Sequence, residues 1–144
     1  MNQKGFTLLE IVVVTLLVTI GGSCIKLGMG YAEEIRFTAL VKEVERGIRS
    51  AQHMANLTGR EYNIVCTEKA VYIRSGIQPA IYKFSMDKHV TIPRDITGKQ
   101  ISFAGKMAPS KGGTIELVNK ALSKRARITI RVATGKTTVY FEKL

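Results

Sequence analysis

Residues Phe6–Ile25 (FTLLEIVVVTLLVTIGGSCI) form a run with a single charge, Glu10. As a helix this run would be about 30 Å long, the thickness of a bilayer's hydrocarbon core. No other feature constrains the chain as much. The segment needs an apolar surrounding, and whatever follows must fold apart from it. Three fates compete: a cleaved secretory signal, a lipoprotein signal and a retained anchor. Glu10 argues against the first two. An ionised carboxylate at mid-bilayer costs about 2.5–3.5 kcal/mol, and an export segment has no use for it. No small-x-small site closes the run, and Gly21-Gly22-Ser23 before Cys24 lacks the apolar residue that a lipoprotein site needs. The retained anchor stands, with Glu10 either used inside the apolar setting or snorkelling to the nearby interface.

Lys4-Gly5-Phe6-Thr7-Leu8-Leu9-Glu10 opens that run. It resembles the class III signal of type IV prepilins and pseudopilins: a basic residue, Gly, Phe, three mostly apolar residues, Glu, then an unbroken apolar helix. The resemblance implies a leader of residues 1–5, cut by a prepilin peptidase between Gly5 and Phe6. It also implies N-methylation of the new terminus at Phe6. A cut before the apolar run leaves the anchor in place. It creates an ammonium at Phe6, with which Glu10 of a neighbouring subunit can pair in an apolar filament core. A buried carboxylate with a partner is tolerable where an unpaired one is not. Major pilins often kink this helix with a proline near position 27, where this chain has Leu27. Gly21, Gly22, Gly28 and Gly30 cluster there instead, and each weakens a helix by about 1 kcal/mol. The cluster fits either a stretch that bends or melts on assembly, or close helix packing at small residues.

From Tyr31 to Leu57 the apolar positions Leu40, Val44, Ile48, Ala51 and Ala55 recur at steps of three and four, with charges mainly off that stripe. This is an amphipathic helix. Glu45 and Arg49 are spaced for an i,i+4 pair, and Gly59 is placed as a C-cap. One long helix is expected to run from the membrane segment into a folded domain. After Gly59 the period becomes two. Strands are expected at Glu61–Thr67 and Ala70–Ser75 around a tight turn at Glu68-Lys69. Further strands are expected at Ala80–Met86, Val90–Ile92, Ile101–Ala104, Thr114–Val118, Ala126–Ala133 and Thr137–Glu142. Pro79 and Pro93 mark edges or turns, Gly105–Gly113 a loop, and Thr134-Gly135-Lys136 a hairpin.

Helix first and strands after predicts an α+β fold, a long N-terminal helix packed on antiparallel β-sheet. The division expected is a leader 1–5, a membrane or filament-core helix 6–30, and a soluble pilin-like domain 31–144. That domain comprises an amphipathic helix 31–58 and a β-rich part 59–144. About 115 residues outside the anchor suffice for one small core. The later strands, with Ile101-Ser102-Phe103-Ala104-Gly105, Gly113-Thr114-Ile115-Glu116-Leu117, Arg127-Ile128-Thr129-Ile130 and Gly135-Lys136, resemble GspH/FimT-type minor pseudopilins and the related competence pseudopilins of Gram-positive bacteria. That likeness implies a minor filament subunit, often near the tip. It also implies a single pass through the bacterial cell membrane, N-terminus in the cytoplasm and soluble domain outside. The implied partners are prepilin peptidase and other pilin or pseudopilin subunits.

The residues hold no pattern that carries catalysis. His53 and His89 stand apart, Asp87 and Asp95 share no metal-loop motif, and no Gly-x-Ser-x-Gly, phosphate loop or zinc-helix motif occurs. No enzyme, cofactor or metal is expected. Cys24 and Cys66 lie at different depths, so no intrachain disulfide is expected. Charge is the remaining signal. Residues 73–144 carry 14 Lys/Arg against 4 Asp/Glu, whereas residues 1–72 carry 8 against 7. Lys120, Lys124, Arg125, Arg127 and Arg131 fall together with no acid among them, and Lys136 follows. Arg127 and Arg131 share strand parity and hence one face. Such a hairpin can track a phosphate backbone without reading sequence. Few aromatics lie nearby in the sequence, so base stacking is not expected. Two roles follow. One is a subunit of a DNA-uptake pilus whose basic β-region touches DNA non-specifically. The alternative is an initiator of a secretion or adhesion pilus that binds only other subunits.

Overall fold

The computed structural model describes residues 7–105, 109, 111–132 and 134–144, with side chains 24–27 left out. One helix, α1 (Leu8–Thr58), is followed by eight strands: β1 (Glu61–Thr67), β2 (Ala70–Ser75), β3 (Tyr82–Ser85), β4 (Val90–Thr91), β5 (Gln100–Ala104), β6 (Gly113–Asn119), β7 (Lys124–Ile130) and β8 (Thr137–Lys143). The chain divides into two compact units, Met1–Arg36 and Phe37–Leu144.

Helix α1 is unbroken through the glycine cluster, and a Cβ on Gly21, Gly22, Gly28 or Gly30 would meet nothing within 4 Å. The hydroxyls of Thr15, Thr19 and Ser23 in its apolar part are satisfied locally. Thr15 Oγ1 donates to the Val12 carbonyl at 2.9 Å, and Ser23 Oγ to the Thr19 carbonyl at 2.9 Å. That return bonding lets polar residues sit in an apolar segment. The helix stops as expected. Gly59 takes φ +66°, and its N–H donates to the Ala55 carbonyl at 3.0 Å.

The second half of α1 supplies one wall of the core. The buried stripe is Phe37, Val41, Val44, Ile48, Ala51 and Ala55, in alternating steps of four and three. Leu40, expected on the stripe, lies on its flank and is only partly buried. The Glu45–Arg49 pair forms at 2.7 Å. Gly47 is buried because the Phe84 ring lies against its backbone, where no Cβ would fit.

Two four-stranded antiparallel sheets complete the domain, β3-β2-β1-β5 and β4-β6-β7-β8. The expected α+β fold is the observed one. Alternation places Ile64, Cys66, Val71, Ile73, Ile101 and Phe103 of the first sheet inward, and Ile115, Leu117, Ala126, Ile128 and Ile130 of the second, in one core with the α1 stripe. The strand β4 lies between β3 and β5 in sequence yet pairs with β6, Val90 opposite Asn119.

Several boundaries differ from the alternation pattern. The third strand is Tyr82–Ser85 rather than Ala80–Met86, because Pro79 and Ala80 belong to the preceding loop. The second sheet's strands shift: Gly113–Asn119 rather than Thr114–Val118, and Lys124–Ile130 rather than Ala126–Ala133. The chain already turns at Arg131, whose carbonyl accepts from Gly135 N–H at 2.8 Å. The hairpin therefore spans Arg131 to Lys136, with Gly135 at φ +64°. The Gly105–Gly113 segment is not all loop, since Lys111 bridges Ser102 and Gly113 begins β6.

Candidate functional site

The N-terminal end of α1 is built by Thr7. Its backbone carbonyl and its Oγ1 both accept from Glu10 N–H, at 3.0 and 3.3 Å. Thr7-Leu8-Leu9-Glu10 has the spacing of a capping box, with Glu10 at the third helical position. An acid there also faces the positive end of the helix dipole. Thr-x-x-Glu was readable in the sequence and gives Glu10 a local structural role beside any role in assembly. The expected cut between Gly5 and Phe6, and methylation at Phe6, lie outside the described residues.

From Leu8 to Ser23 every side chain is exposed, Leu8 at 84% and Val18 at 68%. The segment is long and apolar enough to cross a membrane, and none of its best apolar window is buried. The N-terminal part of α1 thus shows bare apolar surface while its C-terminal part is core.

The basic hairpin is different from its sequence pattern. Pairing places Glu116 opposite Arg127, and Glu142 opposite Arg125, all on the outer face of the second sheet. Arg127 Nε lies 3.1 Å from Glu116 Oε1, and Arg127 Nη2 lies 3.1 Å from Glu142 Oε2. Arg125 Nη1 lies 3.7 Å from Glu116 Oε2. Two arginines and two glutamates alternate across three strands, so this patch carries no net charge. Neighbouring Thr114 and Thr129 hydroxyls pair at 3.2 Å and continue the polar ladder.

The six candidate cations therefore do not form one surface. Arg125 and Arg127 are compensated by acids distant in sequence. Lys120 is exposed at the β6–β7 turn, and Lys124 begins β7. Arg131 and Lys136 are exposed at the β7–β8 turn. A seven-residue strand separates the two ends by about 20 Å. Among the described residues, no carboxylate pairs with Lys120, Arg131 or Lys136.

Elsewhere, Cys66 is a free, buried thiol, and burial pushes it up to about 11. Among the described residues no group of three His, Cys, Asp or Glu is placed to hold a metal ion.

Residues 1–23 match the family of the prokaryotic N-terminal methylation motif. The match supports a type IV pilin-like protein. Proteins of that kind are structural subunits rather than enzymes; prepilin peptidase processes them, and they assemble with other pilin subunits. The architecture is pilin-like as well, a long N-terminal helix packed on antiparallel sheets. The apolar helix and the motif together fit a membrane-anchored pilin. No curated protein and no solved structure matches the pilin-like chain.

Proposed function

We propose that this chain is a minor pilin or pseudopilin, cut between Gly5 and Phe6, methylated at Phe6 and assembled through Glu10 into a pilus-like filament. The observation that carries the reading is the division within α1. Its capped, bare apolar part holds one charge near its start, while its other part is built into the core of the folded domain. Such a segment needs a bilayer or neighbouring helices around it. In a filament, the ammonium that processing creates at Phe6 supplies Glu10 with a counter-charge. Co-expression with a prepilin peptidase tests this by intact mass. The expected product lacks five residues and begins at Phe6, and Gly5→Val blocks the cut. An unshortened chain beside active peptidase overturns the reading.

The finer reading is that the filament serves DNA uptake and that the basic β-region touches duplex DNA. Its support is the charge balance of residues 73–144 and the exposed Lys120, Arg131 and Lys136. Binding is expected to be weak, insensitive to sequence and steeply salt-dependent, with a log-log slope of about −0.9 per phosphate contacted. Replacing the exposed Lys120, Arg131 and Lys136 by Gln should flatten that slope and leave the circular dichroism unchanged. No binding at low salt overturns the DNA contact. The alternative, an initiator of a secretion or adhesion pilus, then stands. It draws support from the pairing of Arg125 and Arg127 with Glu116 and Glu142.

A further inference from the structure

The first sheet carries a ring and two cations together that the sequence keeps apart. Tyr72 stands on the outer face of β2, half-buried, directly opposite Val65 of β1 and Lys83 of β3. Lys83 Nζ lies 5.8 Å from the centre of the Tyr72 ring. Arg74 follows two residues on and so shares the face, about 7 Å along the strand. The loop between β2 and β3 closes a cleft of about 500 Å³ over this surface, with Val65 and Thr67 of β1 and Gln78 and Pro79 of the loop also lining it. Arg74 and Lys83 are exposed, and among the described residues no carboxylate pairs with either.

This is a different surface from the basic hairpin, and its chemistry differs too. The hairpin offers cations without a ring. The cleft offers the Tyr72 ring with Arg74 in its lining and the Gln78 amide at its edge, while Lys83 lies over the ring outside that lining. We propose that this cleft takes one base of a single-stranded nucleic acid, stacked on Tyr72, with the flanking phosphates on Arg74 and Lys83. A single strand presents its bases freely. A duplex keeps them paired and stacked inside, and would have to be opened to fill the cleft. The Gln78 amide can donate to or accept from any base edge, so little sequence preference is expected. The proposal deepens the nucleic-acid reading above and rests on it, but it uses other residues, so the two can fail separately.

The test uses the full chain in detergent micelles and fluorescence anisotropy with three probes: a short oligothymidylate, the same backbone made abasic, and a short duplex. The wild type should bind the oligothymidylate more tightly than the abasic strand. Tyr72→Leu should weaken oligothymidylate binding about tenfold, the loss of one stacked base, and leave duplex binding unchanged. Tyr72→Phe, which keeps the ring, should bind as the wild type does. If Tyr72→Leu loses its near-ultraviolet circular dichroism, Arg74→Gln with Lys83→Gln replaces it, and its oligothymidylate binding should lose most of its salt dependence. Equal binding of abasic and thymidylate strands, or full binding by a folded Tyr72→Leu chain, overturns the proposal. Binding of the duplex but not the oligothymidylate also overturns it and leaves the hairpin reading standing. Binding of neither overturns both. Equal competition by polyglutamate would show a merely cationic surface and would likewise overturn it.

Discussion

Gly47→Ala tests how tightly α1 is seated on the first sheet. A Cβ built on Gly47 overlaps the edge of the Phe84 ring and comes 3.3 Å from Ile73 Cδ1. Carbon atoms pack at about 3.5–4.0 Å, so the ring would have to retreat by about 1 Å. Phe84 is itself core, 9% exposed, and its strand is held at one edge by pairing of Val71 with Phe84. Overpacking of this kind costs about 1–3 kcal/mol. Against it, alanine is favoured over glycine inside a helix by about 1 kcal/mol. The net expectation is a loss of about 1 kcal/mol, or about 5 °C in Tm for a domain of this size. Thermal unfolding of the full chain in detergent, followed by the near-ultraviolet signal of its tyrosines, reads this directly. Phe84→Leu removes the obstructing ring edge. In the double variant the two changes should therefore cost less than the sum of the single ones. A Gly47→Ala chain that melts higher than wild type, or strictly additive costs, would refute the claim that the ring dictates glycine here.

Burial of Cys66 should make it react slowly with iodoacetamide at pH 8 in a Cys24→Ser background, and quickly once unfolded. Its thiol is pushed up from 9.0 to about 11, so the unfolded chain ionises first and stability should fall as pH rises between those values. Replacing Cys66 by Ala should remove that part of the fall, and an identical pH profile would contradict it. Glu10→Ala should still insert and be processed but fail to enter filaments; incorporation at the wild-type level would reduce Glu10 to a helix cap or a snorkelling residue. Glu116→Gln should release Arg125 and leave Arg127 paired with Glu142 alone, costing a few tenths of a kcal/mol at most in stability. It should also steepen the salt dependence of duplex binding, and an unchanged slope would mean that the released Arg125 does not reach phosphate.

Patterns confined to a few neighbouring residues were legible. The turn at Glu68-Lys69 between two alternating runs fixed β1 and β2 to the residue, and Gly59 marked the end of α1. The stripe of α1 was read one position out of phase at its start, because Leu40 is as apolar as Val41 and only the packed sheet distinguishes them. The end of β7 was misjudged for a similar reason. Val132 prolongs the apolar pattern past Arg131, where the chain has already turned. The candidate site was the least legible. Glu116 and Glu142 precede and follow the basic run at distances that mean nothing until strand register sets them beside Arg125 and Arg127. Tyr72, Arg74 and Lys83 were invisible as a group for the same reason.

The path of β4 has a consequence for how the domain comes apart. The chain leaves the first sheet after β3, adds β4 to the second, and returns to place β5 beside β1. Neither sheet is a continuous stretch of sequence, so neither can be completed before the other has begun. Helix α1 ties them again, Gly47 against Phe84 in the first sheet and Phe37 edge-on to Phe141 in the second, at 6.4 Å between ring centres. Local peeling is thereby discouraged, and the domain should yield as one cooperative unit. Tension entering the folded domain along the buried stripe of α1 would therefore be divided between both sheets at once.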